Sequence, residues 1–252
     1  MSSKRMVVKL GGRVQQDPRL PAALAALAAA RPGALFLVHG GGDEISSLQR
    51  AMGVDPVFVG GRRVTAERDV DLVRMALSGT SNKRLVSALV ARGVPAVGVS
   101  GEDAGMIRAT VADPALGRVG QVERVDTRLL ETLAAAGYLP VVSPLGSDDA
   151  GALNVNGDDA AAAIAVALGA DELLFMADVE GVLVDGAPLG TLDLAEAHEL
   201  VAAGVAVGGM AAKLEAARAA LLAGVSIARI GAMSALTDSA FGTRITPAPA
   251  FA

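Results

Sequence analysis

Short, continuous apolar runs alternate along the chain with longer stretches rich in alanine and leucine. The short runs have the length of buried strands, and the longer stretches have the composition of helices. Because the short runs are apolar at successive positions, both faces of the sheet that they form are expected to be covered. The predicted strands are residues 5–10, 34–38, 94–100, 139–144, 172–177 and 225–230.

Helices are predicted between these strands, so the chain consists of strand–helix–strand units. Such units produce an α/β fold with a mainly parallel sheet. A hairpin formed by residues 106–112 and 118–125 is expected to be appended to that sheet. A boundary near residue 169 divides the chain into two predicted lobes, 1–169 and 170–252, that share the sheet. The predicted helices are 20–30, 43–52 (with Asp43 as its N-cap), 66–78, 82–92, 127–136, 158–168, 194–203 and 210–223.

Composition limits the chemistry that the chain can perform. Its 252 residues include no cysteine and two histidines, which excludes disulfides, thiolate catalysis and sulfur-based or histidine-rich metal sites. The formal net charge of −5 argues against nucleic acid or an anionic membrane as the main partner. No apolar run approaches the ~18–20 residues of a membrane span. No signal-peptide pattern precedes the first strand, so we expect a cytoplasmic protein.

Glycine-rich turns follow the first two predicted strands. Lys9 precedes Gly11 and Gly12, and His39 precedes the glycines at 40–42. Open α/β sheets bind ligands at the carboxyl ends of their strands, and glycines let backbone N–H groups approach an anion there. Neither turn matches the Walker A motif or the dinucleotide fingerprint. Together they favour phosphate handling, with His39 supporting its loop.

Amides and a carboxylate occur together in the segment 154–158. Asn154 and Asn156 are alternate residues of an extended segment and can form one polar face. Asp158 can then reach a lysine or a metal-bound phosphate. Alternatively, Asn156 or Asp158 only caps the helix that follows.

Basic side chains supply the complementary charge. Arg63 is a fork-shaped donor suited to a carboxylate, and the adjacent Arg62 is equally suitable on chemistry. Lys213 lies about one turn inside a predicted helix, near enough to its amino-terminal end to meet a bound phosphate.

The ordered set of motifs resembles the amino acid kinase family over nearly the whole chain. This resemblance implies a three-layer αβα sandwich on a mainly parallel, eight-stranded central sheet. Gly157 and Ala177 depart from the family pattern, and the stretch 184–192 is short. The matching segments are 7–12 (VVKLGG), 38–42 (VHGGG), 61–65 (GRRVT), 76–83 (ALSGTSNK), 98–109 (GVSGEDAGMIRA), 117–122 (GRVGQV), 137–144 (GYLPVVSP), 154–158 (NVNGD), 177–183 (ADVEGVL), 208–214 (GGMAAKL) and 242–245 (GTRI).

The resemblance also implies an activity, namely transfer of a phosphoryl group from ATP to the side-chain carboxylate of N-acetyl-L-glutamate in arginine biosynthesis. The first lobe would bind the acetylated acid, and the second would bind ATP. Mg2+ would be carried by the nucleotide and not by protein side chains. Lys9 and Lys213 would stabilise the transferring group, Asp158 would orient both lysines, and Gly11 would hold phosphoryl oxygens. The implied substrate-binding residues are Gly41, Gly42, Arg63, Asn154 and Asn156, and the implied nucleotide-binding residues are Asp178, Val179, Glu180, Gly181, Val182, Leu183, Val205, Ala206, Val207, Gly209 and Met210.

Two other functions stay open at this point. A related kinase of lysine biosynthesis phosphorylates acetylaminoadipate, a longer acid carried on a small acidic protein. The region of Arg118 and Arg124 has few basic residues and the chain is acidic, which favours the free glutamate derivative. A non-catalytic protein that retained the fold would be expected to lack Lys9, Lys213 or Asp158, and all three are present.

The resemblance extends to assembly. Family members that arginine inhibits resemble hexamers built through an additional amino-terminal helix, and about four residues precede the first predicted strand. We therefore expect a homodimer that arginine does not inhibit.

Overall fold

A computed structural model describes residues 4–247, so residues 1–3 and 248–252 of the two predicted lobes lie outside the described part. All six predicted strands are confirmed, with ends within two residues of the predicted ones. The strands are β1 (Met6–Leu10), β2 (Leu35–His39), β3 (Phe58–Val59), β4 (Arg62–Arg63), β5 (Ala96–Ser100), β6 (Ile107–Val111), β7 (Val119–Val125), β8 (Leu139–Ser143), β9 (Leu145–Asp148), β10 (Gly151–Val155), β11 (Glu172–Met176), β12 (Leu183–Val184), β13 (Ala187–Pro188), β14 (Thr191–Asp193), β15 (Ile227–Gly231) and β16 (Thr243–Thr246).

The helices lie between the strands as predicted, and none in residues 4–247 is long and apolar enough to cross a membrane. They are α1 (Leu20–Ala30), α2 (Gly42–Ala51), α3 (Val70–Arg74), α4 (Asn82–Val90), α5 (Arg128–Ala135), α6 (Gly157–Ala167), α7 (Leu194–Ala202), α8 (Gly208–Leu222) and α9 (Met233–Thr237).

Two helix predictions need correction. The predicted helix 66–78 begins as a 3-10 turn at Glu67–Asp69, and a π-helical segment, Met75–Ser81, joins α3 directly to α4. The predicted N-cap Asp43 is wrong, because α2 begins one residue earlier and Gly41 occupies its N-cap position without a side-chain hydrogen bond. Backbone N–H groups at this helix end are therefore not satisfied by a capping side chain.

The central sheet has eight strands in the order β14-β16-β15-β11-β1-β2-β8-β5. Every neighbouring pair is parallel except β15 and β16. Strand β1 lies in the middle and pairs over its whole length with β2 on one side and β11 on the other. The carboxyl end of β1, which carries Lys9, is therefore flanked by the turns that follow β2 and β11.

Successive residues of each strand point to opposite faces of the sheet, so each face has its own set of apolar side chains. Helices cover both faces. Val7 and Val38 pack on the face covered by α5, α6, α7 and α8. Val8 and Leu37 pack on the opposite face, against α1, α4 and α9. The expected three-layer αβα sandwich is confirmed.

The predicted hairpin does form, but it is not part of the central sheet. Strands β6 and β7 pair antiparallel, while β7 also pairs with β10 and β6 with β9, so that these four strands close on themselves. A second hairpin, β9–β10, follows β8 directly. Its strands pair with the outer edges of β7 and β6, which closes the four strands into a separate unit. This second hairpin ends at Val155. Asn154, in β10, and Asn156, directly after it, therefore lie at the carboxyl side of the central sheet.

Candidate active site

Two lysines and one aspartate form a buried ionic cluster at the carboxyl end of β1. Lys9 Nζ lies 2.8 Å from Asp158 Oδ1, and Lys213 Nζ lies 3.4 Å from Asp158 Oδ2. The three side chains come from β1, α6 and α8, and each is about nine-tenths buried, with 9%, 7% and 12% of its surface exposed. Lys9 and Lys213 are 149 and 55 positions from Asp158 in the chain, and the fold brings both side chains to its carboxylate.

The cluster carries two positive charges and one negative charge, which favours a further anion. Burial lowers the pKa of Lys213, and the charge of Lys9 lowers it further, while Asp158 and Asp178 act in the opposite direction. Asp158 Oδ1 is buried and accepts no well-directed hydrogen bond within residues 4–247, so its contact with Lys9 is purely ionic. A cluster of this kind is stable only if the remaining charge is solvated or paired.

A cavity of about 220 Å3 opens beside Lys9. It lies at the carboxyl ends of the strands, between the glycine turn after β2, the β3–β4 hairpin and the start of α6. Its lining includes seven of the predicted site residues, while Gly11 and Lys213 are not part of it. Those seven are Lys9, Gly41, Gly42, Arg63, Asn154, Asn156 and Asp158.

Glycines shape two walls of this cavity. Gly41 packs against the π-helical segment, where a Cβ would stand 2.7 Å from Leu77 Cδ2. Gly157 lies against Lys9, where a Cβ would stand 3.2 Å from Lys9 Cε. A side chain at Gly41 would force Leu77 to move, whereas a Cβ at Gly157 would displace Lys9 by only a few tenths of an ångström.

Arg63 is a buried cation without an acidic partner in the described part of the chain. Its Nη1 donates to Gln49 Oε1, and its Nη2 donates to Ser46 Oγ and to Gly42 O, each at 2.7 Å. The guanidinium carbon lies 4.7 Å from the centre of the Phe58 ring. Burial lowers the pKa of Arg63, the charge of Arg50 adds to this effect, and the charge of Asp43 opposes it. The side chain is thus held by three hydrogen bonds and a ring contact, without a direct ion pair in the described residues.

Arg62 has surroundings that differ from those of Arg63. Its Nη2 lies 3.0 Å from Asp159 Oδ2, and 39% of its side chain is exposed, whereas Arg63 as a whole is 7% exposed. Burial raises the pKa of Asp159, the Arg62 charge opposes that shift, and the Asp158 charge adds to it. Arg62 therefore has a carboxylate partner, whereas Arg63 forms no ion pair within residues 4–247.

The two asparagines occupy different positions at the cavity. Asn156 is the N-cap of α6, and its Oδ1 accepts hydrogen bonds from the N–H groups of Asp158 (2.8 Å) and Asp159 (3.3 Å). Asp158 itself therefore does not cap the helix. Asn154 Nδ2 donates to Thr65 Oγ1 at 3.0 Å, and this hydroxyl in turn donates to Arg63 O.

The acidic members of the predicted nucleotide-binding set are bonded to neighbouring segments. Asp178 Oδ2 lies 2.8 Å from Arg13 Nη1, and this arginine, with help from Lys213, lowers the pKa of Asp178. Glu180 Oε2 accepts a hydrogen bond from Ser234 Oγ. Asp178 and Glu180 line a separate depression of about 490 Å3 between the turns after β1, β11 and β15.

The apolar members of that set divide into buried and exposed groups. Val182 and Ala206 belong to the large apolar core, with Val179 and Met210 packed against it. The Val182 N–H already donates to Thr243 Oγ1 at 2.7 Å, so it has no free donor for a ligand. Gly181 fits tightly here, because a Cβ would stand 2.5 Å from the same oxygen. In contrast, Leu183, Val205 and Val207 are exposed, and Gly209 lies in the first turn of α8.

Several residues that the sequence reasoning missed hold the site together. Ser46 and Gln49 are buried polar residues on one face of α2, and both contact Arg63. Their spacing of three residues is a recognisable signal, because it places two polar groups on the face that also carries the buried Ile45. Thr65 and Phe58 had no comparable signal in the sequence.

Among residues 4–247, no group of three or more histidine, aspartate or glutamate side chains is close enough together to hold a metal ion. The acidic groups at the site are instead engaged by lysine or arginine. A metal bound to the phosphates of a nucleotide is compatible with this donor set.

The part of the chain that forms the cluster and the cavity is similar to known proteins. Residues 4–231, which include every residue of the cluster and the cavity, match the amino acid kinase family. The chain belongs to the amino acid kinase family.

Relatives within the amino acid kinase family are similar over most of their length. The chain is 48% identical to a protein called acetylglutamate kinase from Rubrobacter xylanophilus, covering 86% of this chain and 87% of the relative. It is 44% identical to an acetylglutamate kinase from Chloroflexus aurantiacus, covering 95% and 96%. The fold matches the crystal structure of a Streptococcus mutans UA159 protein with a TM-score of 0.87, at 31% identity over 96% of this chain and 98% of that one.

Proposed function

We propose that this protein transfers the terminal phosphoryl group of ATP to the side-chain carboxylate of N-acetyl-L-glutamate. The products are ADP and N-acetyl-L-glutamyl 5-phosphate, an intermediate of arginine biosynthesis. The observation that carries the proposal is the Lys9–Asp158–Lys213 cluster beside a cavity that contains the unpaired Arg63. The acetylglutamate kinases at 44–48% identity support the choice of substrate.

The two lysines stabilise the transferring group from opposite sides. Lys9 lines the cavity and acts from the side of the acid, while Lys213 lies near the start of α8 and acts from the side of the nucleotide. Asp158 holds both ammonium groups in place. In this reaction charge spreads over the equatorial phosphoryl oxygens, so positioned positive charges contribute most in the transition state.

The attacking carboxylate needs no general base, because it is already ionised at neutral pH. The protein therefore has to align two anions and neutralise their repulsion. The glycine turns at Gly11 and at Gly41–Gly42 supply backbone N–H groups to the phosphoryl oxygens.

Arg63 binds the α-carboxylate of the acid, and Asn154 and Asn156 border the same space. Arg63 Nη2 uses both of its hydrogens on Ser46 and Gly42, so the Nε–H and one Nη1 hydrogen remain to contact the carboxylate. The hydrogen bonds from Arg63 to α2 leave it pre-organised, so little side-chain entropy is lost when the acid binds.

The nucleotide occupies the carboxyl-terminal part, between the segments 178–183 and 205–210. The exposed apolar side chains of Leu183, Val205 and Val207 suit an adenine ring, and the amino-terminal end of α8 suits its phosphates. Mg2+ arrives with the phosphates of ATP. In this assignment residues 1–169 bind the acid and residues 170–252 bind the nucleotide.

A coupled assay of ADP release tests the proposal directly. N-acetyl-L-glutamate is compared with its homologue that is one methylene longer, free and attached through an amide to a small acidic carrier. We expect turnover with the free glutamate derivative, and at least a tenfold preference over the longer acid, because one extra methylene changes binding by about 1–3 kcal/mol. Preference for the carrier-bound homologue would refute the proposed substrate.

A further inference from the structure

His39, the last residue of β2, is fully buried next to the cavity but has no place in the mechanism above. Its Nδ1 lies 2.8 Å from Gly40 O, and its Nε2 lies 3.1 Å from Asn82 Nδ2. A carbonyl oxygen can only accept and an amide nitrogen can only donate, so Nδ1 carries the proton and Nε2 accepts. Both contacts therefore require one neutral tautomer of the ring.

The surroundings keep this ring neutral. Burial lowers the pKa of His39 to about 4, and the positive charges of Lys9 on β1 and Lys83 on α4 act in the same direction, against the hydrogen bond to Gly40. The imidazole therefore acts as a fixed donor–acceptor bridge over the whole neutral pH range and does not exchange protons with a substrate.

Asn82 fixes the other end of this bridge. It is the first residue of α4, is 1% exposed, and donates through Nδ2 to both His39 Nε2 and Val141 O, the latter at 2.9 Å. Its Oδ1 accepts from Lys83 Nζ at 3.2 Å. Gly98 leaves the space for this amide, because a Cβ there would stand 1.8 Å from Asn82 Oδ1. Both hydrogens of the Asn82 amide thus have acceptors, and its oxygen has a donor.

The element held by this bridge is the peptide between Gly40 and Gly41. Gly40 O accepts from His39 Nδ1 and from Gln15 Nε2 at 3.0 Å, and Gly40 N donates to Leu10 O at 2.9 Å. In a trans peptide the C=O and the following N–H point in opposite directions, so fixing Gly40 O also fixes the direction of the Gly41 N–H. Gly41 lines the cavity, and its N–H has no backbone acceptor within residues 4–247.

We propose that His39 and Asn82 are positioning residues that hold the Gly41 N–H toward the transferring phosphoryl group. This inference rests on the proposed function, since it concerns the same cavity. Neither side chain contacts the reacting atoms; they act through the Gly40 peptide. The contact is made with charge that develops during transfer, so its loss lowers kcat and leaves KM for both substrates little changed.

The first test is spectroscopic and needs no activity. The chain has two histidines, so long-range 1H–15N spectra of the labelled protein contain two ring systems, and His198→Gln assigns them. We expect the His39 ring in the Nδ1–H form, without titration between about pH 5.5 and 8. In Asn82→Asp a carboxylate oxygen faces Nε2, and the ring is expected to gain a proton there. A wild-type Nε2–H form, or titration in that range, would overturn the inference.

The second test uses two variants that each keep half of the bridge. An asparagine amide nitrogen falls near the place of Nδ1, so His39→Asn can still donate to Gly40 O. A glutamine amide falls near the place of Nε2, so His39→Gln keeps only the contact with Asn82. We expect kcat of His39→Gln to fall on the order of 10- to 100-fold, because a small misplacement of catalytic groups has effects of that size. His39→Asn should keep at least ten times the kcat of His39→Gln.

Melting temperatures separate positioning from stability in this pair. Each variant loses one of two ring contacts, so similar melting temperatures with different kcat values support the inference. Equal kcat values, a reversed order, or losses of kcat that follow the melting temperature would overturn it. Wild-type turnover of N-acetyl-L-glutamate reports on the proposed function alone, and the ring spectra still decide the geometry if that turnover is absent.

Discussion

Replacing Arg63 by alanine should weaken binding of the acetylated acid without affecting ATP. The guanidinium is buried, is held by Gln49 and Ser46, and has no carboxylate partner in residues 4–247. A hydrogen bond to a charged group contributes about 1.5–3 kcal/mol. Because about 1.4 kcal/mol corresponds to a factor of ten, KM for the acid should rise about 10- to 150-fold. The contact exists before and during transfer, so kcat should change much less.

Arg62→Ala is the matched control, because it removes the same side chain one position earlier. Arg62 is paired with Asp159 at 3.0 Å and is 39% exposed. An exposed ion pair contributes about 0–1 kcal/mol, so KM for the acid should change less than about fivefold. Each variant is assayed by ADP release with one substrate varied and the other saturating, and its melting temperature is recorded in parallel.

The outcome that would refute this reasoning is a rise in KM for ATP with an unchanged KM for the acid, since the two binding regions would then be reversed. Equal effects of the two arginine replacements would contradict the assignment of the carboxylate to Arg63. Arg63→Lys provides a graded check, because lysine keeps the charge but not the fork geometry, and its KM should lie between those of wild type and Arg63→Ala.

Three further replacements test the ionic cluster, and a fourth tests the packing around Gly181. Lys9→Ala and Lys213→Ala should each lower kcat on the order of 100-fold or more, with smaller changes in KM, and near-wild-type turnover would contradict their roles. Asp158→Asn should leave α6 intact, since another residue caps it, but should lower kcat. Loss of the aspartate charge also lowers the pKa of Lys213 further. The fall in activity at alkaline pH should therefore move to lower pH. A pH–activity profile identical to that of the wild type would contradict this reasoning. Gly181→Ala should lower stability by about 1–3 kcal/mol in denaturant unfolding, and Gly190→Ala, where a Cβ meets nothing within 4 Å, should cost less.

Local pattern was enough to predict most of the elements that build the sandwich. Helix α1 has the predicted bounds, and the buried strands are displaced by at most two residues, because a continuous apolar run leaves few choices. The π-helical segment Met75–Ser81 could not be predicted, since its residues suit an ordinary helix equally well. The second hairpin, β9–β10, was missed because its pairing depends on partners distant in the chain.

At the site, the sequence indicated which residue types take part, but not which side chains they contact. The sequence offered Arg62 and Arg63 as equal candidates, and only the fold pairs one of them with Asp159. It left the cap of α6 open between two residues, and the backbone direction selects Asn156. The bridge between His39 and Asn82 joins positions 43 residues apart, so no local spacing could reveal it.

The order of the central strands determines where the chain could be cut into two fragments. All four strands on one side of the β1–β11 boundary precede residue 144, and all four on the other side follow residue 171. The chain therefore crosses this boundary once after α6, close to the exposed Gly169. A cut there would separate Lys9 and Asp158 from Lys213 and leave two fragments with matching parallel edges. Kinase activity would then report the reunion of the fragments, which makes this topology a natural basis for a split-enzyme sensor of protein association.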